Sequence, residues 1–357
     1  MMLVAKGLVI IGGRRFEITD EKGEHPGLPI SASAAHRDTK SSSAELVVWD
    51  VDNVTGEPFP IFNSMPDPMI EHNVPYDMWL GWEGEALVKV FEGILLAKEV
   101  NTQTTETTLI GVHDSYRMKK RGKVRARTHI TIADLLRQLG LEYGIEIRFI
   151  GSAASDPALT VPRRWTIQGV PGVESNWAMM CHYLYEYGFI LNTTLRGVVE
   201  IRKDKDADPQ FDFTYGDEWG LQFNARFEQR RDHRTSRIKG YSHEAKPGKR
   251  AQYEQVEPED GGRRVQAVPP ATAKRDQTPH RSPMTKLHVR NTSRRLKHVE
   301  GHDASMTCRM RPQLKNTEQY TLNKYGPQLS GLWHAASVEH SIGKGTASTR
   351  LSVWKIR

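Results

Sequence analysis

The stretch that decides the fold is the C-terminal one, Leu332-Trp333-His334-Ala335-Ala336-Ser337-Val338-Glu339-His340-Ser341-Ile342-Gly343-Lys344-Gly345-Thr346-Ala347-Ser348-Thr349-Arg350-Leu351-Ser352-Val353-Trp354-Lys355-Ile356-Arg357. Two runs of alternating, partly β-branched residues flank a Gly-Lys-Gly break, the pattern of two strands joined by a tight turn. Gly343-Lys344-Gly345-Thr346 is not a phosphate loop, because GxxxxGK[ST] is absent and no strand-to-helix context surrounds it.

The same alternation recurs upstream. Leu8–Ile11 and Arg14–Ile18 read as a hairpin across Gly12-Gly13. Residues 20–44, rich in Gly, Pro, Ser and Ala, are expected to be a loop, followed by a strand over Ala44–Asp50. Val51–Pro75 contains Pro58, Pro60, Pro66, Pro68 and Pro75 and is expected to be irregular or 3₁₀. Tyr76–Trp82 reads as a strand, residues 86–100 as a strand pair, and Thr104–Val112 as the last strand of a first small barrel.

The period then changes. Ile132–Gly140 has helical spacing, with Thr131 as N-cap and Gly140 as its stop. Glu146–Ile150 reads as a strand, Ser175–Gly188 as a second helix, and Phe189–Asn192 with Val198–Arg202 as a hairpin, together a small α+β unit. Trp177 is expected to pack on Leu184 and Phe189. Tyr183, Tyr185 and Tyr187 alternate and do not share one helix face, so some of them must face a neighbour or solvent. Strand-like alternation returns over Leu221–Tyr241. Residues 245–285 carry almost no large apolar side chain and are expected to be an extended arm. Ala304–Met310 reads as a strand and Lys315–Asn323 as a short helix.

Charge is unevenly placed. The chain of 357 residues carries net +7, yet residues 227–311 alone hold 20 Lys and Arg against 10 Asp and Glu, so the remainder is about −3. Basic character therefore belongs to one segment. Arg230, Arg231, Arg234, Arg237, Arg294 and Arg295, with Tyr185 and Trp333, are the candidate partner-interface residues. A nucleic-acid-binding β-rich protein is the competing reading of that segment, weakened because only Tyr241 and Tyr253 lie near it for base stacking.

Catalytic signatures are absent from the sequence: no GxSxG, no HExxH and no paired carboxylates with a helical scaffold. His298, His302 and Cys308 lack a second close ligand pair, and His113-Asp114 reads as a satisfied polar pair at a strand end. Cys181 and Cys308 read as ordinary thiols. No run approaches the ~20 apolar residues of a membrane span, and the N-terminus lacks signal-peptide order.

Several segments together resemble the phage late control D family of baseplate or tail-tip hub proteins, which is similar to the hub part of type VI secretion spike proteins. Phe91-Glu92-Gly93-Ile94-Leu95 resembles the family's "F.G.V" strand, and Leu109–Met118 its "G.D....L" strand end. Thr131–Leu136 resembles "T..DIL". Gln168-Gly169, Glu174–Met180 and Tyr187-Gly188-Phe189 resemble "Q...SDW.FL..L....GF", with Asn176 where Asp is usual, and the closing hairpin completes the set.

The resemblance implies two small β-barrel domains of tail-tube type flanking a small α+β domain. The expected boundaries are 1–112 for the first barrel, 113–205 for the α+β unit, 206–244 with 304–357 for the second barrel, and 245–303 for a basic arm. It also implies a non-enzymatic homotrimeric hub without cofactor or metal, adapting a six-fold tail tube to a three-fold spike and lining a channel through which DNA passes without specific binding. Its implied partners are itself, a tail tube or distal ring protein, a spike or tip protein, and baseplate wedge, sheath-associated or tape measure proteins. Such a chain is expected to be made in the host cytoplasm and to end in the virion, with the spike on a separate chain.

Overall fold

A hairpin built on two glycines starts the fold. Strands β1 (Ala5–Ile11) and β2 (Arg14–Thr19) pair antiparallel, with Ile11 opposite Arg14. The two-residue link needs positive φ at both positions, which Gly12 (57°) and Gly13 (87°) supply. A computed structural model describes residues 4–19, 29–37, 40–52, 54–119, 125–160, 163–167, 175–177, 180–181, 184, 189–193, 196–203, 209–217, 222–226, 238–241, 252–256, 264–268, 303–316, 318–343 and 345–355.

Strands β3 (Pro29–Arg37) and β4 (Lys40–Trp49) follow, then the one-turn helix α1 (Pro60–Ser64) and strands β5 (Pro75–Trp82), β6 (Val88–Asn101) and β7 (Glu106–Val112). The α+β segment holds β8 (Arg125–Ile130), α2 (Ile132–Glu142), β9 (Glu146–Phe149), the short α3 (Pro157–Thr160), β10 (Arg163–Ile167), β11 (Phe189–Asn192) and β12 (Val198–Lys203). Beyond it lie β13 (Pro209–Thr214), β14 (Gln222–Arg226), β15 (Ile238–Tyr241), β16 (Gln252–Val256), β17 (Arg264–Val268), β18 (Asp303–Arg309), β19 (Gln319–Asn323), β20 (Gly331–Gly343) and β21 (Thr346–Lys355).

Thirteen strands form one sheet, in the order β14-β18-β21-β20-β3-β4-β7-β6-β5-β1-β2, with β19 branching onto β20 and β13 onto β19. Its central seam is the antiparallel β3–β20 pair, where Val338 faces His36, His340 faces Ala34 and Ile342 faces Ala32. The N- and C-terminal β segments, expected as two small barrels, meet at that seam, and no closed barrel forms among the described residues. The end strands β2 and β14 each have one strand neighbour. The closing hairpin β20–β21 is as the sequence predicted, with Gly343 opposite Thr346.

Three cores lie beneath these elements. The first gathers Val9, Leu46, Tyr76, Leu80, Phe91 and Leu109 from the N-terminal strands, and takes in Met310 and Ile342 from the C-terminal ones. The second packs Leu135, Leu136 and Leu139 of α2 against Ile147, Trp177, Leu184, Phe189 and Val199, so Trp177 is a core aromatic as expected. The third gathers Phe213, Met306, Tyr320, Trp333, Val338 and Leu351.

Four sequence readings are corrected. Most of the expected 20–44 loop that is described is strand: in β3 the small residues Ala32 and Ala34 alternate inward with His36, and the strand is bonded on both edges, to β4 and β20. Small side chains let a strand sit mid-sheet where composition suggested a loop. Residues 86–100 are not a strand pair: from Val88 on they lie in the single long β6, whose register against β7 shifts between Leu95 and Ala97. Of the helix expected over Lys315–Asn323, Gln319–Asn323 is instead β19, because Tyr320 and Leu322 alternate into the core and both edges are paired. Gly140 does not stop α2, which runs to Glu142. A Cβ at Gly140 would meet the Ile145 carbonyl at 2.4 Å, so this glycine serves close packing, while Gly144 (φ 67°) takes the left-handed turn.

Within the expected basic arm, β16 and β17 form a three-stranded antiparallel sheet with β15. Residues 242–251, 257–263 and 269–302 lie outside the described residues.

Candidate assembly interface

The α+β segment is tied to the large sheet by buried polar groups. Asp114, 4% exposed, follows directly on the end of β7 and His113. Its Oδ2 accepts the Gly197 N–H at 2.9 Å and lies 3.7 Å from Arg196 Nε, while its Oδ1 accepts from Arg117 at 3.1 Å. Arg117 also donates to the Asn73 side chain, and Arg196 to the Asn73 carbonyl. His113 and Asp114 are each satisfied, though by different partners: His113 Nδ1 accepts the Ser115 N–H. A carboxylate buried this far is retained because two guanidinium groups and a backbone N–H surround it.

A second tie runs through a histidine. His36 Nε2 lies 2.7 Å from the Val90 carbonyl, which only accepts, so Nε2 carries the ring proton and Nδ1 accepts from Ser42 Oγ at 2.7 Å. Ser42 Oγ in turn accepts from Thr193 Oγ1 at 2.6 Å, and Thr193 Oγ1 accepts the Ser42 N–H at 3.1 Å. This chain joins β3, β4 and the residue after β11. A Ser–His contact is also the geometry of an activated nucleophile. Here Ser42 and His36 are buried and every polar atom of the pair is committed, so the contact is a structural link.

His340 on the adjoining strand repeats the device. Its Nε2 donates to the Leu314 carbonyl at 3.1 Å and its Nδ1 accepts from Thr349 Oγ1 at 2.9 Å, which itself accepts the Arg311 N–H. Burial pushes the ring pKa of His36 down to about 4 and that of His340 down to about 3. Both rings are neutral at neutral pH and lie on the two strands of the seam.

Of the candidate interface residues, Arg230, Arg231, Arg234, Arg237, Arg294, Arg295 and Tyr185 lie outside the described residues. Trp333 is corrected: it is fully buried, with Nε1–H donating to the Leu329 carbonyl and its ring edge-on to Phe223 at 5.1 Å. Paired on both edges by β19 and β21, it anchors the third core. Cys308 also faces that core, and burial pushes its thiol up to about 12; His298 and His302 lie outside the described residues.

The sequence reading passed over a different surface. Val54, Met69 and Ile70, in the link between β4 and β5, are 94%, 82% and 77% exposed. The signal was present as Met69-Ile70 set between Pro68 and Glu71. The edge strand β2 is guarded by exposed Arg14, Arg15 and Glu17. No described helix is long and apolar enough to cross a membrane.

Neither a family model nor a curated protein sequence matches the chain. Solved structures do match it from end to end. A tail protein from Neisseria meningitidis MC58 superposes with a TM-score of 0.61 at 12% identity, covering 98% of this chain and 96% of that one. The 43 kDa tail protein of prophage MuSo2 from Shewanella oneidensis gives 0.62 at 12% identity, with 98% of both chains covered. Escherichia coli c3393, a type VI secretion component described as structurally similar to bacteriophage T4 tail proteins, gives 0.54 at 9% identity over 98% of this chain and 77% of that one. The fold is thus that of these phage tail proteins and of the type VI secretion component.

Proposed function

We propose that this chain is a structural, non-enzymatic hub of a phage tail or baseplate. The observation that carries the reading is the end-to-end match of one continuous fold to two phage tail proteins, with nearly all of each chain covered. In the proposed assembly three copies form a ring. Each copy contributes two β cores, one N-terminal and one C-terminal, so three copies supply the six units needed to meet a six-fold tail tube while presenting three-fold symmetry to a spike. The seam between β3 and β20 supports this, because it fixes the two β halves of a chain to each other.

The work of such a part is mechanical. It binds a tube or distal ring protein on one face and a spike or tip protein on the other, with wedge, sheath-associated or tape measure proteins as further neighbours. DNA passes through the ring without being held. The chain is then a virion component.

Light scattering over a concentration range tests the reading. A mass three times the 40.5 kDa of one chain is the expected result. A monomer at every concentration, still monomeric when co-expressed with the neighbouring tail proteins, overturns it.

A further inference from the structure

The α+β segment meets the N-terminal strands through polar groups. The apolar cores of the two are separate clusters among the described residues. Between them stand the Thr193 contact with Ser42, a bond from Ser115 Oγ to Ser41 Oγ at 3.0 Å, and the Asp114 group with Gly197 and Arg196. Two of these ties lead to histidines. Ser42 Oγ donates to His36 Nδ1, and the His113 N–H, one residue before Asp114, donates to the Ser42 carbonyl at 2.9 Å. His36, His113 and His340 are all buried; His113 opposes a charge on His36, and His36 opposes one on His340. On the strands around His36, Glu17 of β2, Glu45 of β4 and Glu339 of β20 stand at exposed positions, and Lys89 of β6 pairs with Asp77 and Glu92. At the joint Asp114 lies between Arg117 and Arg196, and Arg196 also acts on Asp77. Arg202 of β12 acts on Glu318, just ahead of β19.

We propose that this joint is an acid-operated latch, in which protonation of His36 shifts the α+β segment towards a state opened from the sheet while the sheet stays folded. Nε2–H of His36 is bonded to a carbonyl and Nδ1 to a hydroxyl, so neither ring partner is an anion that could balance a charge. A proton on Nδ1 turns that acceptor into a donor. Ser42 must then donate to Thr193, and the Thr193 hydroxyl proton loses its place in the relay. Opening the joint gives the imidazolium water and relaxes the relay. His340 is bonded to Thr349 and Leu314, both C-terminal, so it senses acid without belonging to the joint. The His36 ring takes up its proton more readily in the open state, so opening is favoured as pH falls below 6.5. A ring pKa of about 4 when closed and 6.5 when open makes the open state about twentyfold more populated at pH 5 than at pH 7.

Hydrogen exchange of the full chain, read by mass spectrometry and corrected for the intrinsic pH dependence of exchange, measures the opening. The Ser42 and Gly197 amides, which both donate across the joint, are expected to lose about twentyfold in protection between pH 7 and pH 5. At both pH values they are expected to stay less protected than the amides of the β3–β20 seam. His340→Gln leaves the twentyfold loss at the joint unchanged. His36→Gln, which keeps one donor and one acceptor without a titrating proton, reduces it below about threefold. A wild-type loss below about threefold overturns the latch. A full loss that persists in His36→Gln assigns the pH response to another group and overturns it too. Joint and seam amides equally protected at both pH values show that the two parts open only together, which also overturns it. Should His36→Gln fail to fold, the wild-type loss and the comparison of joint with seam decide, since neither needs a variant.

Discussion

Acidification attacks the seam of the sheet. His36 and His340 are buried, neutral and fixed by their hydrogen bonds, with ring pKa values near 4 and 3 against 6.5 for a free ring. The unfolded chain therefore takes up a proton at each position at a higher pH than the folded chain. Their contribution to stability is complete above pH 6.5 and is lost as pH falls towards 4 for His36 and 3 for His340. Each proton costs up to about 1.4 kcal/mol per pH unit inside that window. Integrated from pH 7 to pH 5, each histidine removes about 2 kcal/mol and the pair about 4 kcal/mol, a large part of the ~5–15 kcal/mol of an ordinary domain. Glu318 acts in the opposite sense: burial raises its pKa, so it adds stability as pH falls through that raised value towards the value of a free carboxyl. Urea unfolding followed by tryptophan fluorescence at pH 7, 6 and 5 measures the change. His340→Gln, which keeps one donor and one acceptor without a titrating proton, is expected to halve the loss to about 2 kcal/mol. A wild-type loss below about 1 kcal/mol between pH 7 and pH 5, or an unchanged slope in the variant, refutes the assignment of the buried neutral rings.

Three further outcomes are expected. Asp114→Ala strands the Gly197 N–H and frees two guanidinium groups at the joint between sheet and α+β segment. It should cost about 2–3 kcal/mol in urea unfolding and expose the joint to limited proteolysis. Gly93→Ala puts a Cβ 2.3 Å from the Val112 carbonyl, where strands β6 and β7 meet. It should cost about 1–3 kcal/mol, read as a lowered thermal midpoint. Thr131→Ala removes the side chain that accepts the Asp134 N–H at the start of α2 and should cost about 1 kcal/mol by the same assay.

Local signals were legible wherever the information is local. The Gly12-Gly13 turn, the closing hairpin and the Thr131 cap depend on φ preferences and side-chain reach within a few residues, and each is found where the sequence placed it. The misread stretches share a different property. The Ser- and Ala-rich β3 and the polar β19 are strands because neighbours from remote segments bond both of their edges. Neither burial nor edge pairing is written in a residue's own propensity. Trp333 shows the same limit: the sequence offered it as an interface candidate, but the strands on either side close over it.

By itself, the sequence determined a β-rich chain with a helical interruption and a single basic segment, since periodicity and charge are properties of neighbouring residues. It also determined the likeness to tail hub proteins, which the end-to-end structural matches bear out at the level of the fold. Only the tertiary structure decided that the N- and C-terminal strands share one sheet through β3 and β20. Only it showed that two histidines some 300 residues apart are buried side by side in that seam, and that Met69 and Ile70 are held out on a fixed base. These features depend on which distant segments meet, and that is settled by the packing of whole faces, not by the pattern along any one strand.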